Sequence, residues 1–134
     1  MSDHPRVRPT TATAAGGLLL LEALGMLAIA VWVAVSALGD PPEHIAGGIF
    51  LAALAAGAAF FLLQVAKAML DGRAWSRAGA IVWQVLQIGV AAGTFDGGEG
   101  PVWLALILAG VGVAVFALVL RRTVTVWLNP DVEA

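Results

Sequence analysis

Four polar side chains lie inside the most apolar parts of this sequence and are its best candidates for chemistry. Glu22 is the one acid between Ala14 and Leu38, and Gln64, Gln84 and Gln87 interrupt two later apolar stretches. Hydrocarbon penalises the charged form of a carboxyl group, and ionisable residues inside membrane segments often mark ion or substrate sites. Glu22 is therefore a candidate site for the exchange of a proton against a cationic compound.

Two simpler roles for Glu22 stay open on the sequence alone. The carboxyl group could accept hydrogen bonds from Gln64 or Gln84 and so hold helices together, an interaction worth about 1 kcal/mol in membranes. Lys67 or Arg77 would then steady its charge. It could also contact a partner subunit. Both roles need only a hydrogen-bonding group, whereas exchange requires a carboxyl group that binds and releases a proton.

Position along the helices predicts that these polar groups form one cluster. At about 1.5 Å per helical residue, Glu22 and Gln84 lie roughly 10 Å from the same membrane boundary. Gln64 lies a few Å shallower and Gln87 lies roughly 15 Å deep. We therefore predict that Gln84 lies opposite Glu22. The full predicted intramembrane polar cluster consists of Glu22, Gln64, Lys67, Gln84, Gln87 and Trp83.

The composition places most of the chain in lipid. Hydrophobic residues make up 60% and charged residues 12% of the 134 residues, a far more apolar balance than in soluble domains. Ala, Gly, Leu and Val dominate, Tyr is absent and Lys occurs once, a bias typical of high-GC bacterial genomes. We therefore expect a multi-pass protein of the bacterial cytoplasmic membrane, with the lipid bilayer as its main partner.

Several functional classes are not expected from these residues. The absence of cysteine excludes disulfides, thiolate metal sites and cysteine nucleophiles. His4 and His44 lie far apart in exposed segments and offer no metal site, and neither Ser36 nor Ser76 has a base at its depth. The net charge of -2 gives no reason to expect a nucleic acid partner. We predict no catalytic site, no metal and no cofactor, and hence no enzyme.

The apolar stretches predict an all-α fold, a polytopic four-helix transmembrane bundle with short loops. A span needs about 20 predominantly apolar residues, and the chain offers four such helices, at about residues 14–38, 45–69, 76–95 and 101–121. Residues 14–122 then form the transmembrane domain. Residues 1–13 are predicted to be a disordered cytoplasmic tail, and residues 123–134 an interfacial segment and a second cytoplasmic tail.

A secretory signal peptide is the alternative for the first apolar stretch. The small residues Val35-Ser36-Ala37 resemble a cleavage site. The apolar region is nevertheless longer than the usual 7–15 residues and contains an acid, so we expect the helix to stay in the mature protein.

The distribution of charge predicts that both termini are cytoplasmic. All seven basic residues precede helix 1, flank the turn between helices 2 and 3, or follow helix 4. The opposite side has no basic residue and carries the acids Asp40, Glu43, Asp96 and Glu99. Cytoplasmic loops carry an excess of Lys and Arg, and Trp collects at membrane boundaries. The predicted topology anchors are Arg73, Trp75, Arg77, Arg121, Arg122 and Trp127.

Small residues at three- and four-residue spacing predict that helix 2 and helix 4 each allow a neighbouring helix to approach closely. They are Gly48, Ala52, Ala55, Ala56 and Ala59 in helix 2, and Ala105, Ala109 and Gly112 in helix 4. Such stripes let two backbones approach. The same faces could make a homodimer, so the oligomeric state stays open.

The motif Glu22-Ala23-Leu24-Gly25, in a short chain with four spans, resembles the first helix of the small multidrug resistance transporters. Leu106 to Val111 is similar to the last helix of that family. The resemblance implies a helix 1 glutamate that binds protons and cationic drugs competitively within a dimer. Helix 2 departs from the family pattern because it lacks the Pro/Gly-Tyr-Trp stretch.

A second resemblance covers most of the chain. Three segments resemble small uncharacterised four-helix integral membrane proteins of actinobacteria. They are the turn Gly72-Arg73-Ala74-Trp75-Ser76-Arg77, the residues Val82-Trp83-Gln84 of the following helix, and the segment from Arg121 to Trp127. This resemblance implies a membrane architecture and leaves the activity open.

Two functions from different classes follow from these observations. The first is a small non-enzymatic accessory or interaction subunit, present as a homodimer or in a larger membrane complex. The second is a small proton-coupled transporter of cationic or hydrophobic compounds that uses Glu22.

Overall fold

The computed structural model describes residues 6–96 and 101–133, which are helical almost throughout. The elements are α1 (Thr10–Ala37), α2 (Pro42–Leu70), α3 (Trp75–Phe95), α4 (Val102–Val119) and α5 (Arg122–Leu128), followed by a 3-10 turn (Pro130–Glu133). No strand occurs in either described range. The predicted all-α class is confirmed.

The four long helices pack as two hairpins. α1 packs mainly against α2 and α3 against α4, while contacts of α1 with α4 and of α2 with α3 join the hairpins. This order places α1 and α3 on one diagonal of the arrangement. The N-terminal segment, the α2–α3 turn and α5 meet at one end, which we call the basic end (residues 6–9, 67–77 and 120–131).

Three of the described helices are long and apolar enough to cross a membrane. They are α1, α2 and α4, and only 17%, 33% and 22% of their most apolar windows is buried inside the protein. Helices this apolar, with most side chains outside the protein core, need lipid around them. The expectation of a membrane protein is supported to that extent. α3 is not among the three.

The start of α1 differs from the prediction, because residues 10–13 of the predicted disordered tail are helical. Ala12 is fully buried in the core. Thr11 Oγ1 and Thr123 Oγ1 share a hydrogen bond of 2.6 Å, although the two residues are 112 positions apart. The helical structure of this segment cannot be predicted from its polar composition, because it depends on a contact with α5.

The end of α4 also differs from the prediction. The helix stops at Val119, and Arg121 is extended, with φ -62° and ψ 140°, before α5 begins. The first part of the predicted interfacial segment, in which polar and apolar residues alternate from Thr123 to Val126, therefore belongs to a separate short helix. Val124 and Leu128 lie one turn apart in it and are both buried. Burial of Val124 and Leu128 on one face therefore accounts for a helix here, although polar and apolar residues alternate in the sequence.

Some predictions concern residues outside the described ranges. The loop predicted between helices 3 and 4 contains residues 97–100, with Glu99 among them, and His4 belongs to residues 1–5. The structure describes none of these residues. Helices α2 and α3 otherwise begin and end within three residues of their predicted limits.

Glycines let α1 and α2 approach closely at both ends of their hairpin. Gly48 lies against Ala37, and Gly16 lies against Leu70, with no free space for a β-carbon at either glycine. Among the small residues predicted to pack, the structure buries Ala52, Ala59, Ala105 and Gly112 and exposes Ala56. The stripe therefore serves contact inside the protein.

The α2–α3 turn closes α2 with a glycine in the left-handed conformation. Gly72 has a φ of 75°. Its amide and that of Arg73 donate to the carbonyls of Met69 and Ala68, respectively, a common way to end a helix. A β-carbon on Gly72 would come within 3.1 Å of the Trp127 ring. Glycine is thus required here by both conformation and contact.

The close approach of α1 and α2 predicts a position-specific effect of one methyl group. Gly48→Ala would place its β-carbon on that of Ala37, and such overpacking destabilises proteins by about 1–3 kcal/mol. Gly47→Ala is the matched control, because its β-carbon meets nothing within 4 Å and alanine favours the helix. SDS unfolding in mixed micelles should show a lower free energy of unfolding for Gly48→Ala only. Equal stabilities would contradict the contact.

Candidate functional site

α3 presents its polar side chains to the interior and its apolar side chains to the outside. Gln84 is fully buried and Gln87 is 8% exposed, whereas Val82, Val85 and Leu86 are more than half exposed. The two glutamines are three residues apart and share one helix face. This arrangement is the reverse of that of an amphipathic helix on a protein surface in water. It brings two amide groups between α1 and α4.

Gln84 reaches across the diagonal to Glu22. Its Nε2 donates a hydrogen bond to Glu22 Oε2 over 2.9 Å. Glu22 is half-buried and stands next to the buried Ala23 on α1. The predicted contact between Gln84 and Glu22 is confirmed. It joins two helices through residues that are 62 positions apart in the chain.

Gln87 links α3 to α4. Its Nε2 donates to the Leu108 carbonyl over 2.8 Å. Its Oε1 accepts a hydrogen bond of 3.1 Å from the indole N–H of Trp83, one turn earlier. Trp83 is half-buried and thus orients Gln87 rather than offering its polar group to a ligand. Both residues belong to the predicted cluster.

Gly112 of α4 leaves room for these amides. A β-carbon at this position would lie 3.3 Å from Gln84 Oε1 and 3.2 Å from Ile88 Cγ1. Both distances are tighter than ordinary van der Waals contact. The small residue predicted to bring helices together therefore also admits a polar side chain to the interior.

Two acceptor oxygens in this cluster have no donor among the described residues. They are Glu22 Oε1 and Gln84 Oε1, and both are buried. Leaving a buried acceptor unpaired costs about 1–3 kcal/mol. A proton on Glu22 or a bound cation would give these oxygens the positive partner that they lack. This is therefore the place in the cluster where a function other than helix packing could arise.

Gln64 and Lys67 lie apart from the cluster, in contrast to the prediction. Both side chains are exposed. α2 instead turns Leu62, Val65 and Met69 into the core. At about 100° per residue, Gln64 and Lys67 then fall on the opposite side of the helix. Burial of the apolar side chains decides the rotation of α2.

Arg77 faces α5 rather than Glu22. Its Nη1 donates to Thr125 Oγ1 over 3.3 Å, which ties the start of α3 to α5. The other basic and aromatic anchors predicted from the sequence are exposed at the basic end, namely Arg73, Trp75, Arg121 and Arg122. None of them reaches the polar cluster.

Trp127 is the centre of the contacts at the basic end. Its Nε1 donates to the Met69 carbonyl over 2.9 Å, and its ring lies on Gly72. The guanidinium of Arg6 stacks on the ring, 4.7 Å from its centre, and donates to the Trp127 carbonyl. The sequence identifies Trp127 as an anchor and misses Arg6, whose only signal is a basic side chain in a polar segment.

A small apolar cavity opens between α1 and α2, and Glu22 is not among its lining residues. Its volume is about 220 Å³, and its lining consists of Ala23, Leu24, Leu27, Ala56, Ala59, Phe60 and Leu63. Ala23 and Leu24 directly follow Glu22 in the sequence. All seven lining residues are apolar, so the cavity suits a hydrocarbon group.

Comparison of the chain with protein-family models, curated proteins and solved structures found no match. The two resemblances seen in the sequence therefore gain no support from these comparisons.

Removal of the Gln84 amide should destabilise the protein, because Glu22 then loses its donor. We expect Gln84→Leu to lower the free energy of unfolding by about 1–3 kcal/mol, the usual cost of an unpaired buried polar group. The double variant Glu22→Leu/Gln84→Leu should be more stable than Gln84→Leu, since neither partner is left behind. SDS unfolding titrations of the four proteins in this cycle should give a coupling energy of about 1 kcal/mol.

Gln64→Leu is the matched control for this cycle, because it makes the same chemical change at an exposed position. Its free energy of unfolding should stay within about 0.5 kcal/mol of the parent value. Additive effects of the two substitutions, or equal effects of Gln84→Leu and Gln64→Leu, would show that the Glu22–Gln84 bond does not stabilise the fold.

Proposed function

We propose that this chain is a small non-enzymatic subunit of the bacterial cytoplasmic membrane, with four spans, that works by association with another membrane protein. The observation that carries the proposal is the mutual bonding of polar groups on α1, α3 and α4. Gln84 donates to Glu22, and Gln87 donates to the Leu108 carbonyl. These hydrogen bonds hold the helices together, so a partner protein would bind to the outer surface of the packed helices.

The exposure pattern of α3 supports a fourth span. Its 21 residues, at about 1.5 Å each, reach about 30 Å, the thickness of the hydrocarbon core. Its exposed Val82, Val85 and Leu86 are apolar, and its two glutamines are bonded inside the protein. Hidden polar groups and exposed apolar groups are what lipid requires. The glutamines lower the hydropathy of α3 without facing lipid.

The charges at the two ends support an orientation with both termini in the cytoplasm. All seven Lys and Arg residues belong to the basic end. The described acids at the other end are Asp40, Glu43 and Asp96. Since cytoplasmic loops carry the excess of Lys and Arg, the basic end is assigned to the cytoplasmic side.

The absence of cysteine allows a direct test of this orientation. The substitutions Asp40→Cys, Asp71→Cys and Asp96→Cys each place a thiol at an exposed turn. In intact cells, a membrane-impermeant maleimide should label Asp40→Cys and Asp96→Cys, and should label Asp71→Cys only after the membrane is opened. Labelling of Asp71→Cys and Asp96→Cys from the same side would remove α3 from the set of spans.

Association with a partner is measured best by purification of the full chain from gently solubilised native membranes. We expect one integral membrane protein to copurify at a fixed molar ratio. Gln84→Leu should reduce its recovery, because the partner surface depends on helix packing, and Gln64→Leu should not. Recovery of a single species, without a partner in a fixed ratio, would contradict the proposal.

A small proton-coupled transporter is the second candidate, and the oxygens without a donor favour it. The Glu22 carboxyl group could bind a proton at Oε1 and release it in exchange for a cation, to which Gln84 Oε1 would offer a second oxygen. The apolar cavity between α1 and α2 could hold a hydrophobic group. Liposomes with a pH gradient and ethidium as the probe separate the two functions. Uptake that Glu22→Gln abolishes would establish transport, whereas absence of uptake with either protein agrees with the subunit.

A further inference from the structure

We propose that the basic end contains a binding site for the phosphate group of an anionic phospholipid. The site is a cavity of about 570 Å³ between the N-terminal segment and α5, within the range of about 300–1,000 Å³ for small-ligand sites. Its lining includes Arg6, Pro9, Arg122, Thr123, Val126 and Trp127. The cavity is separate from the Glu22 cluster, and neither function above uses it.

Two guanidinium groups give the cavity a positive charge. Arg6 and Arg122 line it, and no Asp or Glu among the described side chains does. Asp131 follows the lining residue Pro130 in the sequence, yet it forms no ion pair with either arginine. Within the described part of the chain, the charge of this cavity is therefore not neutralised by a carboxylate contact. An anion is the ligand that this charge favours.

Arg6 is held in position by the protein itself. Its guanidinium lies 4.7 Å from the centre of the Trp127 ring and donates a hydrogen bond to the Trp127 carbonyl. A guanidinium carries five N–H donors, so most of them stay available to a ligand. Its planar fork matches two oxygens of one phosphate group. Arg6 is thus oriented for a phosphate before the ligand arrives.

The rest of the lining distinguishes a lipid from a soluble anion. Pro9, Val126 and the ring of Trp127 add apolar surface to the cavity. The cavity lies beside the ends of α1 and α4, two helices apolar enough to cross a membrane. In a phospholipid, the phosphate group would contact the arginines and the attached acyl chains would contact the apolar lining. Basic pockets at helix ends suit such headgroups. Only the choice of the cytoplasmic leaflet rests on the proposed orientation.

Native mass spectrometry of the full chain released from nanodiscs tests this assignment. Nanodiscs with equal amounts of phosphatidylglycerol and phosphatidylcholine should yield protein that retains phosphatidylglycerol preferentially. Arg6→Gln/Arg122→Gln should lose this preference, with affinity falling roughly fivefold per arginine. The matched control, Arg8→Gln/Arg73→Gln, removes the same charge from exposed residues that do not line the cavity. The control should retain the preference.

A single variant separates binding from folding. Arg6 also supports Trp127, so its removal affects the basic end itself. Arg122 is exposed and has no hydrogen bond or ion pair with any other side chain that the structure describes, so Arg122→Gln should leave the free energy of unfolding unchanged. We expect this variant to weaken phosphatidylglycerol retention roughly fivefold. Unchanged retention in Arg122→Gln would overturn the site.

Two further results would also overturn the proposal. If Arg6→Gln/Arg122→Gln and Arg8→Gln/Arg73→Gln lose phosphatidylglycerol retention equally, the preference comes from general surface charge and not from the cavity. Competition by inorganic phosphate or glycerol 1-phosphate as effective as that by phosphatidylglycerol would assign the cavity to a soluble phosphate. Nanodiscs expose both faces of the bilayer, so lipid binding is measured independently of the orientation and of any protein partner.

Discussion

The hydrogen bond between Gln84 and Glu22 is the constraint on which the packing of the helices depends. Polar groups in hydrocarbon must find their partners within the protein, because lipid offers none. The rotation of α3 agrees with that requirement, since its glutamines point inward while Val85 and Leu86 point outward. Since α1 and α3 lie on a diagonal, their bond needs α2 and α4 at the flanks. Gly112 completes the arrangement by leaving space for the Gln84 amide.

The depth of Gln84 and Glu22 along their helices is sufficient to predict their contact, because two polar groups at one level in lipid have few other partners. Depth does not give the rotation of a helix about its axis. Gln64 lies at nearly the same level and faces outward, since α2 buries Leu62 and Met69 instead. In a helix where almost every residue is apolar, the sequence contains little information about which face is inside.

The basic end shows a different limit of sequence-based prediction. A polar segment predicts disorder when nothing nearby can order it, yet Thr11 finds its partner in α5, 112 residues away. Trp127 is recognisable as a boundary residue from its position after the basic pair. Its support of Gly72 and its stacking with Arg6 depend on long-range geometry. The apolar lengths thus predict the helices well, whereas the polar contacts at the basic end have no counterpart in the sequence pattern.

The separation of Glu22 and Gln84 by 62 residues also has a consequence in time. At about 5–20 residues per second, synthesis reaches Gln84 roughly 3–12 s after Glu22. During that interval the α1–α2 hairpin is able to close through Gly48 and Gly16, while the carboxyl group still has no donor from α3. In a nascent chain the Glu22 carboxyl group therefore lacks the hydrogen bond that Gln84 donates once α3 is in place. A copy that ends before α3 thus differs from a finished one by a carboxyl group in α1 that has no donor from α3.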